Sequence, residues 1–231
     1  MLYTAAILGL LGLSAASPLV SRDKLQTSAS TGFHLIVNVT DRSRDLADPV
    51  HRQYLNSIHM GPPYSLLGAG SSKSARVFYQ NGTRFETTWR IVSDGGKPEI
   101  PYGIKMHTDG GAKITSTLTL EAGPGRYIGL TSPGRHYLAL NVGLLAFCRE
   151  AVPYYGGKKL NILKRYLGGN TVRTLPKNCA PVELIPQCAK LNDLGETAIS
   201  SHKFAQSSEC YSDVSDIDWS KYPSLDWDRV S

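Results

Sequence analysis

The pattern of apolar and polar residues along the chain predicts a series of short β-strands. From Phe33 to Val39 every second residue is apolar, which is typical of a strand with one buried face. The same alternation runs over residues 84–92 and 114–121, and the Thr content of the second segment favours a strand over a helix. Apolar runs predict three further strands, over residues 137–148, 158–166 and 181–188.

The pair Asn81-Gly82 follows a predicted strand, residues 75–80, and precedes the strand predicted at 84–92. Asn and Gly both accept the positive φ angles of a type I′ turn, so the sequence predicts a two-residue hairpin that places Phe78 opposite Phe85. Residues 54–59 fit a strand and a helix almost equally well, and we favour the strand.

These segments predict a mainly β fold, an antiparallel β-sandwich or barrel-like structure with long loops, little helix and two disulfides. A parallel α/β sheet would need helices between the strands, and no such alternation occurs. The 231 residues, 41% of them hydrophobic, suit one globular domain. We place this β domain at residues 31–210, between a flexible N-terminal segment, 17–30, and an acidic C-terminal tail, 211–231.

The first 16 residues have the features of a secretory signal peptide. An apolar stretch at 5–13 is followed by Ser14-Ala15-Ala16, which suits cleavage after Ala16. No Lys or Arg precedes Arg22, and the alternative is a buried N-terminal strand. No apolar run reaches the 18 or so residues of a membrane span. We therefore expect a secreted, extracellular protein.

Four cysteines form an even set, which predicts two disulfides in a secreted chain, with reduced core thiols as the alternative. Cys179 and Cys188 bracket one predicted strand and would lie roughly 30 Å apart, too far to bond. If the last three predicted strands form an antiparallel meander, Cys148 and Cys188 meet at one edge. The predicted bridges are then Cys148 with Cys188 and Cys179 with Cys210.

Two glycosylation sequons occur, Asn38-Val39-Thr40 and Asn81-Gly82-Thr83. Neither has proline in the middle position, so Asn38 and Asn81 are both competent acceptors if they are exposed.

The net charge of +6 is unevenly distributed. From Glu209 onward six acidic residues stand against two basic ones. We expect Trp219, Tyr222 and Trp227 to hold this tail on the body while its carboxylates meet basic residues. The alternative, calcium binding by the Asp residues at 213, 216 and 218, lacks the Gly and the final Glu of a calcium loop.

Basic residues of the body occur in small groups, Lys158-Lys159, Lys164-Arg165, Arg42 and Arg44. We expect them to form a solvated face. Such a face has affinity for anionic extracellular surfaces, including acidic polysaccharide. No nucleic-acid recognition motif accompanies these residues, so we expect no nucleic-acid partner.

Several separated motifs occur in order: Phe33-His34-Leu35-Ile36-Val37-Asn38-Val39-Thr40-Asp41, Ile58-His59 before Gly61, Pro101-Tyr102-Gly103-Ile104, Val152-Pro153-Tyr154-Tyr155-Gly156, and the segments 179–188 and 210–219. Together they resemble a family of small secreted proteins of filamentous ascomycete fungi that contain a domain of unknown function. The resemblance spans about residues 31–219 and departs at Gly61-Pro62-Pro63, where a Gly-Ala-Gly type of turn is expected. It implies no activity and no catalytic residues.

The chain carries no motif of a known catalytic site. It has neither the Gly-x-Ser-x-Gly of a serine hydrolase nor the His-Glu-x-x-His of a zinc protease, and its six His are scattered. We predict no metal, no cofactor and no assignable catalytic residue.

The function predicted from these features is that of a non-enzymatic structural or binding module at the cell wall or host surface. Carbohydrate is the expected partner, stacked on Tyr154 and Tyr155 if these rings are exposed. The alternative is that both tyrosines are buried in the hydrophobic core. The functional alternative is a secreted hydrolase whose site is assembled from scattered loop residues, which would require a polar cleft with converging Asp, Glu or His.

Overall fold

A computed structural model of the chain describes residues 25–62, 64–82, 90–109, 115–126, 128–131, 137–167 and 171–221. Paired strands in these ranges are antiparallel, and the helical segments are single 3₁₀ turns at Arg42–Arg44, Ser72–Ser74, Pro153–Tyr155, Val172–Thr174 and Trp219–Lys221. The strands are β1 (Ser28–Ser30), β2 (Gly32–Val39), β3 (Tyr54–His59), β4 (Tyr64–Gly70), β5 (Tyr79–Asn81), β6 (Arg90–Gly95), β7 (Ile100–Thr108), β8 (Thr115–Ala122), β9 (Gly129–Thr131), β10 (Ala139–Asn141), β11 (Leu144–Val152), β12 (Lys158–Tyr166), β13 (Cys179–Ala189), β14 (Ala205–Gln206) and β15 (Ser208–Cys210).

Eleven of these strands form one sheet that closes on itself twice. Six of them, in the order β11-β13-β2-β3-β4-β12, make a ring because β12 also pairs with β11. β8 pairs with both β4 and β12, and β7, β6, β5 and β14 continue from it. Phe33 of β2 then bridges to Phe78, just before β5, which closes the second ring. The predicted mainly β, antiparallel fold is confirmed, and closure leaves few strand edges exposed.

One hydrophobic cluster joins buried residues from the strands of both rings. Alternate residues of β2 point into it, as the sequence pattern predicts, because successive side chains of a strand lie on opposite faces. The other strands contribute in the same way. Core residues from these strands include Leu35, Val37, Leu55, Leu67, Ile91, Ile104, Leu118, Leu120, Phe147, Leu163 and Leu184.

The outer face of β2 and β13 is also buried, by a second layer. Ile36 and Ile185 on this face pack in a cluster with residues 137–139 and with the start of the acidic tail. In the tail, Tyr211, Val214 and Ile217 are buried. β2 and β13 are therefore buried on both faces, unlike a strand with one solvated face.

The predicted docking of the acidic tail is seen for Trp219. Its ring packs edge-on against Tyr137, with ring centroids 5.2 Å apart. The carboxylates of Asp213 and Asp218 contact Ser215 and Lys221, within the tail itself. The other two predicted anchors, at positions 222 and 227, lie outside the described residues. At the N-terminal end, β1 pairs with β15. β1 precedes residue 31, where the predicted β domain begins, so the paired structure starts before that boundary.

The disulfide pairing differs from the prediction. The two bridges join Cys148 to Cys179 and Cys188 to Cys210, with Cα atoms 4.1 and 5.1 Å apart. The meander assumption was wrong because β11 lies between β12 and β13, which makes Cys148 and Cys179 direct cross-strand neighbours. The exclusion of a bond between Cys179 and Cys188 is confirmed, since they lie near opposite ends of β13.

The predicted hairpin at Asn81-Gly82 is also wrong. Asn81 pairs with Arg90, so the connection between β5 and β6 takes residues 82–89, of which 83–89, including Phe85, lie outside the described residues. Asn81 pairs on its other side with Ala205 of β14, and the amide of Gly82 donates to a backbone carbonyl of that region. Tertiary pairing has overridden the local turn preference.

The apolar run 137–148 forms two strands, β10 and β11, rather than one. The break falls at Gly143, whose φ of 92° lies in the left-handed region that glycine adopts without strain. β10 pairs with β9 in a separate two-stranded sheet, whereas β11 enters the main sheet. The run therefore crosses from one sheet to the other.

Two of the basic residues expected on a solvated face are structural. The Arg44 guanidinium donates to the carbonyls of Val172, Leu175, Pro176 and Cys179, and so fixes the crossing from β12 to β13. Lys164 is 8% exposed and pairs with Asp109 and Glu150. Burial alone would lower the pKa of Lys164, but these two carboxylates outweigh burial and raise it. Arg42, Lys158 and Lys159 are exposed as predicted.

We predict that non-reducing peptide mapping of the protein recovers linked peptides containing Cys148–Cys179 and Cys188–Cys210. A Cys188→Ser, Cys210→Ser double variant loses about 3 kcal/mol in the free energy of unfolding, because its denatured chain is no longer restricted by that cross-link. Recovery of a peptide that links Cys148 to Cys188 would contradict the observed strand order.

A second prediction concerns the docked tail. Ile217→Ser lowers the free energy of unfolding by about 2 kcal/mol, because a buried side chain of the outer layer is lost. Asp216→Ser, at the exposed neighbouring position, serves as the matched control and leaves the denaturation midpoint unchanged. Equal midpoints for the two variants in urea denaturation would show that the tail contributes no stability.

Candidate functional site

A cavity of about 540 Å³ opens at one end of the second ring. Its walls come from β3 and β4 on one side and from the turn between β6 and β7 on the other, and Ile199 lies at its rim. Arg76, His59, Ser57 and Ser65 are among its polar lining residues. Concave surfaces with apolar walls and a few convergent polar groups are the usual form of ligand sites.

The guanidinium of Arg76 is the main charged group of this cavity. Its Nε donates to the hydroxyl of Ser93 at 3.1 Å, and its carbon Cζ lies 5.9 Å from the ring centroid of Tyr102. The backbone of Gly95 leaves room for it, since a Cβ at that position would lie 2.9 Å from Nη2. Burial lowers the pKa of Arg76, which Tyr102 and Asp94 partly oppose.

Asp94, the acidic residue beside Ser93, is engaged elsewhere. Consecutive residues of a strand point to opposite faces, so Ser93 faces the cavity side of β6 and Asp94 faces the other side. There Asp94 accepts a hydrogen bond from the hydroxyl of Tyr79 at 3.0 Å and lies 2.7 Å from Nε2 of His202. Burial, followed by the charge of Asp94, raises the pKa of Tyr79.

Two further carboxylates near this end of the sheet also lie outside the described lining of the cavity. Glu121 binds the ammonium of Lys105 at 3.1 Å and accepts a hydrogen bond from Thr119 at 2.9 Å. The side chain of Glu99 lies against Gly195, where a Cβ would meet Oε2 at 3.4 Å. Among the described residues, the lining of the cavity contains cations but no Asp or Glu.

Tyr154 and Tyr155 form an aromatic edge that adjoins this cavity. They occupy the 3₁₀ turn between β11 and β12 and are 54% and 40% exposed, so the core alternative is wrong. Their rings meet at 71° with centroids 5.2 Å apart. Tyr154 also packs edge-on against His59, with centroids 6.1 Å apart, and the hydroxyl of Tyr155 donates to the His59 carbonyl at 2.8 Å. His59 lines the cavity, so the edge and the cavity are neighbours.

Serine and histidine side chains of the described lining are not hydrogen-bonded to one another. Ser57, Ser65 and His59 line the cavity, but neither hydroxyl hydrogen-bonds to the imidazole among the described residues. Over the described part of the chain, no three His, Cys, Asp or Glu side chains are grouped as metal ligands, and no helix has the length and apolarity needed to cross a membrane.

The two predicted glycosylation sites have different surroundings. Asn38 lies within β2, opposite Glu183, and is only 7% exposed, so it fails the condition of exposure. Asn81 is partly exposed at the β5 end of the sheet, and it stays a predicted acceptor.

Sequence reasoning missed Arg76, because a single arginine outside any motif has no distinctive pattern. One signal was present: the strand predicted at 75–80 places Arg76 on the same face as Phe78. A charged residue on a core-facing row indicates either a buried ion pair or a polar cavity.

Comparison with known proteins agrees with the family resemblance but supplies no activity. A family described as a domain of unknown function, DUF7907, matches residues 30–188. A protein of the filamentous fungus Stachybotrys chartarum, named antigenic protein SchS34, is 37% identical over 220 residues, which cover 90% of this chain and 99% of that protein. No solved structure matches the chain.

Proposed function

The chain belongs to the DUF7907 family, and we propose that it is a secreted, non-enzymatic protein that binds carbohydrate at the cell wall or host surface. Its ligand-binding surface is the edge formed by Tyr154, Tyr155 and His59 beside the cavity. The observation that carries the proposal is the exposure of two neighbouring tyrosines on a short, hydrogen-bonded turn.

The exposed rings of this edge are suited to contact with a sugar ring. Tyrosine presents an apolar ring face and a polar hydroxyl, which match the apolar and hydroxylated surfaces of a sugar ring. The bond from Tyr155 to the His59 carbonyl and the contact between Tyr154 and His59 hold both rings in place before binding. A surface ordered in advance loses less conformational entropy on association.

Secretion is supported by two independent features. The N-terminal segment has the composition of a cleavable signal, and the described cysteines form two disulfides, which persist mainly in oxidising compartments. The relative from Stachybotrys chartarum carries the name of an antigenic protein, which is consistent with an exported chain.

A secreted hydrolase is the second candidate, favoured by Ser57, Ser65 and His59 in the lining of one cavity. The described lining holds no carboxylate to act as an acid, a base or an imidazole-orienting group, which acid-pair and triad mechanisms both require. Binding therefore explains the site with fewer assumptions than turnover does.

The test is a glycan array with the glycosylated protein, run beside a panel of hydrolase substrates. We expect retention on at least one glycan, no turnover, and a loss of affinity of about tenfold or more for a Tyr154→Ala, Tyr155→Ala double variant. Phe204→Ala is the matched control, because it removes another exposed aromatic ring outside the edge and leaves binding unchanged.

Three results would count against this function. They are the absence of retention on every glycan, equal affinity of the double variant and the wild type, and cleavage of a substrate by the wild-type protein. Thermal denaturation of each variant separates a loss of binding from a loss of fold.

A further inference from the structure

The terminal nitrogens of Arg76 have no acceptor among the described residues. Its side chain bonds through Nε to Ser93 and packs over Tyr102, which leaves the N–H groups of Nη1 and Nη2 without an acceptor there. A guanidinium carries five N–H donors, so four of them are directed elsewhere. Arg76 lines the cavity, and neither terminal nitrogen is sealed in the protein interior without a partner.

An anion would complete this arrangement. The guanidinium is partly removed from water, and burial lowers the pKa of Arg76 because a less solvated charge is less stable. The neighbouring carboxylate of Asp94 lies on the other face of β6 and is taken by Tyr79 and His202. Asp94 therefore lies on the opposite face of the strand from this guanidinium.

The other lining residues indicate which kind of anion the cavity would bind. Lys97 adds a second cation, and the described lining contains no acid. Pro98, Ile100 and Leu120 supply apolar wall. A bare inorganic ion would leave these apolar surfaces without a contact, whereas an organic anion would cover them.

We propose that the cavity binds an organic carboxylate, whose two oxygens accept hydrogen bonds from Nη1 and Nη2 of Arg76 and whose carbon skeleton lies against Pro98, Ile100 and Leu120. The planar fork of a guanidinium matches a carboxylate with two parallel bonds. Ser93 and Tyr102 position the fork, and Gly95 gives it space. This site does not depend on carbohydrate binding by Tyr154 and Tyr155.

The same carboxylate chemistry occurs on apolar acids and on sugar acids, and the experiment separates the two. Wild-type protein is titrated by calorimetry with benzoate and its neutral counterpart benzamide, and in parallel with galacturonate and galactose. We expect one acid of the two pairs to bind at least about tenfold more tightly than its neutral counterpart. Benzoate binding identifies an apolar acid as the ligand class, and galacturonate binding identifies a sugar acid.

The variants assign the binding to Arg76. Arg76→Gln weakens binding of the favoured acid at least about tenfold, whereas Arg42→Gln, which removes an exposed cation outside the cavity, leaves it unchanged. Ile199→Trp provides a test that leaves the core intact, since Ile199 is 69% exposed at the rim and a larger ring there obstructs entry. In NMR spectra of the wild-type protein, we expect the Arg76 Nε–H resonance to shift when the favoured acid is added.

The proposal is overturned if neither acid binds, if the neutral counterparts bind as tightly as the acids, or if Arg76→Gln and wild type have equal affinity. If Arg76→Gln does not fold, the Ile199→Trp affinity and the wild-type Arg76 resonance decide the matter. Unchanged values for both would overturn it. Failure here leaves the glycan-array result untouched, because that experiment reports on the tyrosine edge.

Discussion

Two reciprocal backbone hydrogen bonds between Phe33 and Phe78 are the constraint on which the rest of the structure depends. The amide of each residue donates to the carbonyl of the other, at 2.9 and 2.8 Å, and both rings are fully buried. β2 already belongs to the six-stranded ring, so this bridge ties β5 and β6 back to it and closes the second ring. Arg76 lies two residues before Phe78, and the same closure brings its guanidinium against Ser93 and Tyr102.

The closed sheet also separates charges by face. Alternation along β6 directs Ser93 toward Arg76 and directs Asp94 toward Tyr79 and His202 on the opposite side. The cavity therefore contains cations and apolar wall within the described residues, while the neighbouring acids are satisfied outside it. A cavity of this kind can hold an anion. This distribution of charge in the described lining is the basis on which we propose binding rather than hydrolysis.

Much of the fold could be predicted because the strands alternate clearly. The segment 158–166 forms β12 with the predicted bounds, and residues 54–59 form the favoured strand. What failed was long-range pairing. Periodicity identifies a strand but does not say on which side of β11 the chain returns after β12, so Cys148 was assigned to Cys188 instead of Cys179. The turn preference of Asn81-Gly82 was likewise overridden by pairing with β14.

The candidate site was predicted only in part, for a related reason. Tyr154 and Tyr155 could be proposed because an aromatic pair between one proline and two glycines stands out locally. Arg76 acquires its role only when β6 and β7 are placed around it, and that placement depends on contacts distant in sequence. Local patterns therefore find the aromatic edge, whereas the charged cavity requires the fold.

A crystal structure of the protein tests the central claim most directly. We predict that Phe33 pairs with Phe78, and that the Nη atoms of Arg76 face the cavity with no Asp or Glu of the chain within ~4 Å of them, the usual limit for an ion pair. A carboxylate of the chain bound to those nitrogens would contradict the account, because the guanidinium would then be a structural ion pair with nothing left to bind a ligand.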